Sequence, residues 1–319
     1  MRAILRRIAQ LVVVLIVVTF FTSVLLEFLP GDPVKTIAPF ATQAQRDSIT
    51  EQLGLDQPFY ERYVTWLGNF ATGDLGNYYR GPQVVDPVAN DAWNGLGVSL
   101  QLMLYVQVLT LVVAIPLGIF SAYRASGIFD KASNTGAFAF ISIPNFVLAY
   151  VLVYFLAVRW GLLPSSGYVP FGTDPAEHFR HLLLPTITLA MGQIAIYTRL
   201  LRSDMIATLQ EDFILMAKSK GISNTRILWR HALRPSSLTL LTVAGLNVGT
   251  LIGGAVIIER IYGLPGLGKQ IFDAIGARQY IAVQSLVAII AIAYVLVNFF
   301  VDILYTVLDP RVRLQGAQA

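Results

Sequence analysis

The stretch that decides the fold is a basic segment at residues 211–235, EDFILMAKSKGISNTRILWRHALRP. Two strongly apolar runs flank it, so it must join two membrane crossings. Its first part has apolar residues at roughly helical spacing, at Phe213, Ile214, Met216 and Ala217. Lys218 and Lys220 follow near the expected helix end, where cations suit the helix dipole. Gly221 then predicts the end of this helix, because glycine is the usual residue where a helix closes with a positive φ.

The second part of the basic segment predicts another short helix at residues 225–233. Ser223 or Asn224 can cap it, and Pro235 is expected to stop it. Two short helices hinged at a glycine make a compact surface feature that a partner can push. The alternative is a passive loop with the usual surplus of Lys and Arg beside a membrane.

Three short motifs give the basic segment a family resemblance. They are Asp212-Phe213, Ala217-Lys218-Ser219-Lys220-Gly221 and Arg230-His231-Ala232-Leu233-Arg234. The pattern resembles the "EAA" loop of permease subunits of binding-protein-dependent ABC importers, and is most similar to the dipeptide, oligopeptide and nickel group. Leu215 and Met216 stand where the broader family has Glu and Ala, a departure that the peptide group shares. In that family the cytoplasmic ATPase grips this loop, which implies coupling roles for Glu211, Asp212, Phe213, Ala217, Lys218, Lys220, Gly221, Arg230, His231 and Arg234.

The composition is that of a membrane protein. The chain has 319 residues, of which 55% are hydrophobic and 13% charged, whereas a soluble domain carries about 25% charged residues. There is no cysteine, which excludes disulfides and thiolate metal sites. Nucleic-acid binding is not expected, because the basic residues sit beside apolar runs rather than in a stripe with aromatic residues.

Six apolar runs are long enough to cross a bilayer, which takes about 20 residues as a helix. They cover residues 8–28, 97–123, 132–158, 182–201, 236–258 and 282–308. Pro116, Pro144 and Pro185 lie inside or at the start of three of them and free backbone carbonyls, which can bend a helix or line a cavity. The first run is longer than the core of a signal peptide and has no small-residue cleavage site, so it predicts an uncleaved helix.

Charge predicts the orientation of these spans. With the N-terminus inside, the inner segments hold 14 basic and 5 acidic residues, and the outer segments hold 9 basic and 12 acidic residues. This bias follows the positive-inside rule, so six spans with both termini in the cytoplasm are expected.

The predicted organisation has three parts. They are an N-terminal transmembrane helix at residues 1–30, an extracytoplasmic loop subdomain at 31–95, and a five-helix permease core at 96–319 that includes the coupling loop 204–235. The loop subdomain looks weakly helical at residues 42–53 and amphipathic and aromatic at residues 60–70. It is either a solvated outer subdomain or a dock for a binding protein, and the sequence favours neither.

Residues 263–270, GLPGLGKQ, nearly match the P-loop pattern G-x-x-x-x-G-K-[ST]. Gln270 stands where a P-loop needs Ser or Thr for magnesium, the preceding segment is a membrane helix rather than a strand, and the topology places the loop outside. We therefore predict no nucleotide binding here. Residues 259–282 instead resemble the family's outer loop, which implies that Glu259, Pro265, Gly266 and Gly268 line or close the mouth of the pathway.

The sequence shows no catalytic set and predicts no metal site. His178 and His181 could bind a metal weakly as an i, i+3 pair, but two polar residues at a helix start are the favoured interpretation. His231 is predicted on the opposite side of the membrane. Two acids, Glu27 and Asp302, fall within or at the ends of spans, where acids are functional candidates. Glu27 can reach water, and a helix-to-helix hydrogen bond is favoured over substrate contact for Asp302.

The sequence thus predicts an all-α, polytopic integral membrane protein with about six transmembrane helices, and the resemblance implies the MetI-like fold of ABC importer permeases. It also implies four kinds of partner at the cell (inner) membrane: a second homologous permease subunit, two cytoplasmic ATP-binding subunits, an extracytoplasmic substrate-binding protein and the lipid bilayer. ATP and Mg would be bound by the partner subunits, and this chain would bind no cofactor and have no ATPase site.

Two other functions stay open on the sequence alone. An ion-gradient-driven secondary transporter or channel often shows internal repeats and paired intramembrane charges, and neither is evident here. A membrane enzyme would need a polar catalytic cluster. The substrate also stays open among dipeptides, oligopeptides, glutathione, nickel chelates and haem, because in such importers the binding protein sets most of the selectivity.

Overall fold

The computed structural model describes residues 2–80 and 83–308, which are mostly helical. The helices are α1 (Arg2–Glu27), α2 (Pro33–Ile37), α3 (Gln43–Gln52), α4 (Phe59–Ala71), α5 (Val88–Tyr123), α6 (Ile128–Ser142), α7 (Asn145–Leu152), α8 (Pro175–Thr208), α9 (Asp212–Ser219), α10 (Asn224–Arg226), α11 (Leu233–Tyr262), α12 (Leu267–Gly276) and α13 (Tyr280–Leu308). Two turns are π-helical, at Val153–Arg159 after α7 and at Ile227–Ala232 after α10. A small antiparallel hairpin pairs β1 (Asn77–Arg80) with β2 (Gln83–Pro87).

The helical class and the approximate number of spans agree with the sequence prediction. Four helices of the described chain are long and apolar enough to cross a membrane: α1, α5, α8 and α13. Two bent helix pairs raise the number to six if each pair is one span. The hairpin between residues 77 and 87 is an addition that the sequence did not predict.

The third apolar run is not one straight helix. α6 and α7 meet at an angle of 103° across Ile143 and Pro144. Ile143 is extended, with φ −91° and ψ 121°, because the residue before a proline is pushed away from helical geometry. By contrast, α5 and α8 continue through Pro116 and Pro185. The predicted capacity of Pro144 to bend its span is therefore realised, whereas the other two prolines leave their helices unbroken.

The polar segment between the first two spans is folded. Thr42 and Gln45 form a capping box at the start of α3, with each side chain bonded to the other residue's backbone. The weak helix expected near residues 42–53 is thus confirmed as α3, and the amphipathic, aromatic stretch at residues 60–70 forms α4.

Packing divides the described chain into two compact units. The first contains Met1–Leu100 and Leu264–Leu296, and the second contains Gln101–Gly263 and the described residues from Val297 onward. The three-part division at residues 30 and 95 stays a prediction.

The first unit has its own apolar core, built by α12 and by the neighbouring ends of α5 and α13. Its buried members include Val88, Ala92, Leu267, Ile271, Ala274, Val283 and Leu286. The Trp66 indole N–H of α4 donates to Ser285 Oγ of α13 at 3.0 Å, so that the polar segment is fastened to this core. Burying a side chain the size of Val, Leu or Ile contributes about 1.5–3 kcal/mol to the stability of such a core.

Candidate functional site

The first helix of the basic segment, α9, ends in a glycine-capped turn. Gly221 has a φ of 71°, in the left-handed region that penalises any residue with a Cβ. The N–H of Gly221 donates to the carbonyl of Lys218 at 2.9 Å, and the N–H of Ile222 donates to that of Ala217 at 3.2 Å. This pair of bonds is a Schellman motif. The predicted helix end at Gly221 is confirmed, and the backbone geometry requires its glycine.

The basic segment rests on an apolar core in the second unit. α9 buries Ile214 and Ala217, and the π turn after α10 buries Ile227, Leu228 and Ala232. These residues form one cluster with buried residues of α5, α8 and α11: Ala114, Ile119, Ala122, Tyr197, Leu201, Met205, Leu240 and Ala244. The segment is therefore a packed part of the fold, held against the ends of three long helices.

Two polar contacts add to this packing. The Asn224 side-chain amide at the start of α10 donates to the Tyr123 hydroxyl at the end of α5, at 3.1 Å. Ser236 Oγ near the start of α11 donates to Thr208 Oγ1 at the end of α8, at 2.8 Å. The second half of the basic segment is thus tied to α5, and the residue that directly follows the segment is tied to α8.

The second helix of the basic segment does not stop at Pro235, and that prediction is wrong. α10 follows Ser223 and passes through the π turn directly into α11, which carries Pro235 near its start. In a regular α-helix a proline ring clashes with the carbonyl four residues earlier. Here that carbonyl belongs to His231, inside the π turn, where the wider spacing leaves room for the ring. The second half of the basic segment and the fifth span are one continuous helical stretch.

The outward face of the basic segment combines apolar and charged side chains. Leu215 is 64% exposed and Met216 is 57% exposed, and Phe213 and Trp229 are exposed as well. The charged residues of the basic segment are exposed as well, namely Glu211, Asp212, Lys218, Lys220, Arg230 and Arg234, whereas His231 is half-buried. Exposed apolar side chains rimmed by charges mark a contact surface for another molecule.

Sequence reasoning named Phe213 and the charged residues of this surface but not Leu215, Met216 or Trp229 as site residues. The sequence does not show that Ile214 and Ala217 are the residues that α9 buries, and this burial identifies the exposed face. These two residues are three apart and share one face of α9, so the positions between them point the other way.

The glycine-rich loop at residues 263–270 has a helix on both sides. α11 closes at Gly263, which has a φ of 64°, and α12 begins directly after Gly266. A P-loop follows a strand, whereas this loop follows a helix; the absence of nucleotide binding stays a prediction. The Lys269 ammonium lies 2.7 Å from Asp273 Oδ2, one turn further along α12.

The four candidates for the mouth of a pathway differ in exposure. Glu259 is fully buried near the end of α11. Gly266 and Gly268 are buried as well, and Pro265 is exposed. Substitution of Glu259 is restricted by its burial, since a buried carboxylate must be compensated by polar partners. Their role at a pathway mouth stays a prediction.

The hairpin and the start of α13 are joined in the first unit. The Gln279 side chain accepts the N–H of Tyr79 at 3.1 Å and donates to the Tyr79 carbonyl at 2.6 Å. Burial raises the pKa of the neighbouring Tyr78 to about 12, and the charges of Asp91 and Asp273 add to the shift. The Tyr78 hydroxyl is therefore neutral throughout the physiological pH range.

The two histidines near the start of α8 have different surroundings. His178 is buried, with Nδ1 at 2.7 Å from the Val169 carbonyl and Nε2 at 3.1 Å from the Tyr105 hydroxyl. Nδ1 therefore carries the proton and Nε2 accepts one from Tyr105, so both ring nitrogens are occupied. His181 lies one turn further along α8, with Nε2 at 3.9 Å from Glu177. The described residues contain no group of three or more His, Cys, Asp or Glu arranged to hold a metal ion.

The two acids predicted at the ends of spans have different settings. Glu27 is the last residue of α1 and forms an ion pair with Arg62 of α4. Asp302 lies in α13, but its side chain falls outside the part of the chain that the structure describes.

These features define a class of protein: a multi-pass, helical membrane protein with a structured, exposed segment between two of its spans. Within that class the chain belongs to the family of binding-protein-dependent transport system inner membrane components, whose family model matches residues 114–314. A second model, for the N-terminal part of such membrane components, matches residues 1–82. The family resemblance drawn from the motifs is confirmed, and the chain is a transport component of the inner membrane.

Named relatives cover almost the whole chain. A probable peptide ABC transporter permease protein of Sinorhizobium fredii is 35% identical over 312 residues, which is 97% of this chain and 98% of the relative. The oligopeptide transport system permease protein AppB of Bacillus subtilis is 34% identical, with the same shares covered. The dipeptide transport system permease protein DppB of Alkalihalophilus pseudofirmus is 33% identical, again over 97% of this chain and 98% of the relative.

A solved structure supports the fold. This chain is similar to a chain in an inward-facing structure of the MetNI methionine ABC transporter, with a TM-score of 0.56 and 17% identity. The match covers 71% of this chain and 100% of the solved chain. The MetI-like fold implied by the motifs is therefore confirmed.

Proposed function

We propose that this chain is the permease subunit of an ATP-driven importer and forms the pathway by which peptides or similar small solutes cross the inner membrane. The support is the set of relatives named as peptide, oligopeptide and dipeptide permeases, which match along almost the whole chain. The alternative of an ion-gradient-driven carrier or channel is not favoured, because the family is defined by dependence on a binding protein.

The exposed face of the basic segment is the proposed contact with the ATPase. The observation that carries this assignment is the exposure of Leu215 and Met216 on a helix whose opposite face is buried. Exposing apolar side chains to water is unfavourable, so a partner that covers them binds with a favourable free energy. Lys218 and Lys220 at the end of α9 add positive charge beside the apolar patch, which suits an acidic groove on the partner.

The proposed orientation places the basic segment and both termini in the cytoplasm, as the distribution of charge predicts. The proposed assembly adds a second homologous permease, two cytoplasmic ATP-binding subunits that carry ATP and Mg, and an extracytoplasmic substrate-binding protein. The chain itself has no proposed cofactor and no ATPase site. The folded segment between α1 and α5 would face the binding protein, and residues 259–268 would lie at the outer mouth of the pathway.

A charge placed in the apolar patch tests the ATPase contact. Met216→Asp should leave the subunit folded, because the side chain points to solvent, yet it should weaken the contact with the ATPase. Thr173→Asp is the matched control, since it puts the same charge on an exposed loop on the predicted outer side.

The measurement is the amount of ATPase that co-purifies with the tagged permease, together with import of a labelled dipeptide. We expect Met216→Asp to lose most of both while Thr173→Asp keeps both. Wild-type retention of the ATPase by Met216→Asp would refute the assignment of this face.

A further inference from the structure

The second unit contains a buried, fully hydrogen-bonded carboxylate that has no role in the site described above. Asp130, in the first turn of α6, is only 2% exposed. Arg202 of α8 grips its carboxylate with two bonds: Nη2 donates to Oδ2 at 2.7 Å and Nε donates to Oδ1. This fork geometry is the strongest way in which a protein pairs these two groups.

Three further donors complete the coordination of the Asp130 carboxylate. The Ser121 hydroxyl of α5 donates to Oδ1 at 2.7 Å, and the Asn134 amide of α6 donates to Oδ1 at 2.8 Å. The Ser126 backbone N–H, in the turn between α5 and α6, donates to Oδ2 at 2.8 Å. One carboxylate thus joins α5, the turn, α6 and α8, and we name this arrangement the Asp130 junction.

The junction also holds a strained backbone. Ser126 has a φ of 66°, a left-handed conformation that is uncommon for a residue other than glycine. Such strain persists only where the surroundings fix it, and here the bond from Ser126 to Asp130 does so. The turn is therefore held in one specific shape rather than left free to adjust.

The junction is contiguous with the basic segment. Tyr123, three residues before Ser126, accepts the hydrogen bond from Asn224 of the basic segment. Leu201 and Met205, which flank Arg202 on α8, share the apolar cluster that buries Ile214 and Ala217 of α9. A displacement of the basic segment must therefore act on the same helix ends that the junction clamps together.

A role in stability alone is a weak explanation of such a pair. The cost of removing two charges from water largely offsets their attraction, so well-packed apolar residues often serve stability as well. What the ion pair adds is a fixed geometry between helices, because a bidentate bond tolerates little sliding.

We propose that Asp130 and Arg202 are positioning residues for transport: the junction locks the ends of α5, α6 and α8 into one body, so that movement of the basic segment is delivered to α6. α6 then carries it to the 103° bend at Ile143 and Pro144. This inference rests on the proposed contact between the basic segment and the ATPase. It adds two residues, Asp130 and Arg202, that lie outside the contact surface and connect that surface to α6.

The test uses the whole transporter, with its partner subunits, in proteoliposomes. The main variant is the double substitution Asp130→Asn with Arg202→Gln, which removes both charges and leaves an uncharged amide at each position. It avoids the single variant Arg202→Ala, which would leave a buried carboxylate unpaired and risk unfolding. The control is Arg199→Gln, one turn earlier on α8, which removes an exposed guanidinium that stacks on Phe138 and does not contact Asp130.

Three quantities are measured on each preparation: co-purified ATPase, ATP hydrolysis, and import of a labelled dipeptide that the wild type carries. We expect the double variant to retain the ATPase and hydrolyse ATP, while dipeptide imported per ATP falls by about 2- to 30-fold, the range typical of residues that carry coupling. The single variant Asp130→Glu keeps both charges, so its import per ATP should fall less than that of the double variant. Arg199→Gln should keep the wild-type ratio.

Two outcomes would overturn the proposal. A wild-type ratio of import to hydrolysis in the double variant would show that the junction transmits nothing. Loss of assembly in every junction variant, including Asp130→Glu, would show that it only holds the fold. The Met216→Asp variant separates the two proposals in the same assay: if it retains both ATPase and import, the contact surface itself is wrong.

Discussion

The hydroxyl of Tyr262, at the end of α11, lies 2.9 Å from Oγ1 of Thr188 in α8. Thr188 Oγ1 also lies 2.8 Å from the carbonyl of Leu184, and the Tyr262 hydroxyl lies 3.4 Å from the carbonyl of Ala149 in α7, so the two hydroxyls share one hydrogen-bond network. Both side chains are fully or almost fully buried. This bond joins the end of α11 to α8 in a surrounding without bulk water.

Tyr262→Phe tests the strength of this helix contact. Bonds between membrane helices contribute on average about 0.6 kcal/mol and at most about 1.7 kcal/mol, so we expect a small fall in the thermal unfolding temperature of the detergent-solubilised subunit. Tyr294→Phe on α13 is the control, because its side chain is 43% exposed. An equal shift in the two variants would mean that the Tyr262–Thr188 bond adds no stability of its own.

Gly221→Val tests the hinge of the basic segment. Nothing lies within 4 Å of a Cβ at Gly221, so the cost comes from the positive φ alone. We expect about 1–2 kcal/mol of local strain, and more for a β-branched residue. The subunit should still insert, because its spans satisfy their own backbone hydrogen bonds, but it should retain less ATPase in a pull-down. Gly172→Val is the control, with an open surrounding and no positive φ. Full ATPase retention and wild-type import by Gly221→Val would reduce the segment to a connecting loop.

Single cysteines test the orientation, since the chain has no cysteine of its own. Thr42→Cys and Gly172→Cys should react with an impermeant thiol reagent in intact cells, whereas Ser219→Cys should react only after lysis. All three positions are exposed in the structure, so a lack of labelling reports on the membrane side and not on burial. Reaction of Ser219→Cys from outside would invert the proposed topology.

Lys269→Ala tests the resemblance of residues 263–270 to a nucleotide-binding loop. The change removes the ion pair with Asp273, which is partly exposed and contributes about 0–1 kcal/mol. We expect the isolated subunit to bind no ATP analogue in either form, and the basal ATPase rate of the full transporter to stay unchanged. Analogue binding by the wild type that disappears in Lys269→Ala would restore the P-loop interpretation.

The spans were predictable because backbone N–H and C=O groups in lipid can form hydrogen bonds only with one another. An apolar run of sufficient length must be a helix, and α1 and α13 follow those runs closely, whereas α5 and α8 begin at Val88 and Pro175, well before the runs at 97–123 and 182–201. The start of α8 was set too late, since its first turns are polar and are capped by Asp174, which accepts the N–H groups of Ala176 and Glu177. Apolar runs do not report such turns.

The contacts that join distant parts of the chain were not predictable in the same way. Asp130 looks like a single acid in a short basic turn, and only the fold brings Arg202 to it from 72 residues away. Likewise, a bend at Pro144 and unbroken helices at Pro116 and Pro185 come from the same residue type. The residue type alone therefore does not distinguish a bend from an unbroken helix.

The failure of Pro235 to end its helix gives the fifth span the properties of a lever. Residues 224–249 form one helical arm up to a bend of 54°, and 26 residues at 1.5 Å each make it about 39 Å long. One end of this arm carries Trp229 on the exposed face of the basic segment, and the other end lies at the bend. A tilt of about 10° would sweep the far end through roughly 7 Å on this length, more than one helical turn. A stop at Pro235 would have left a flexible joint there, and such a tilt would have been lost before reaching the membrane.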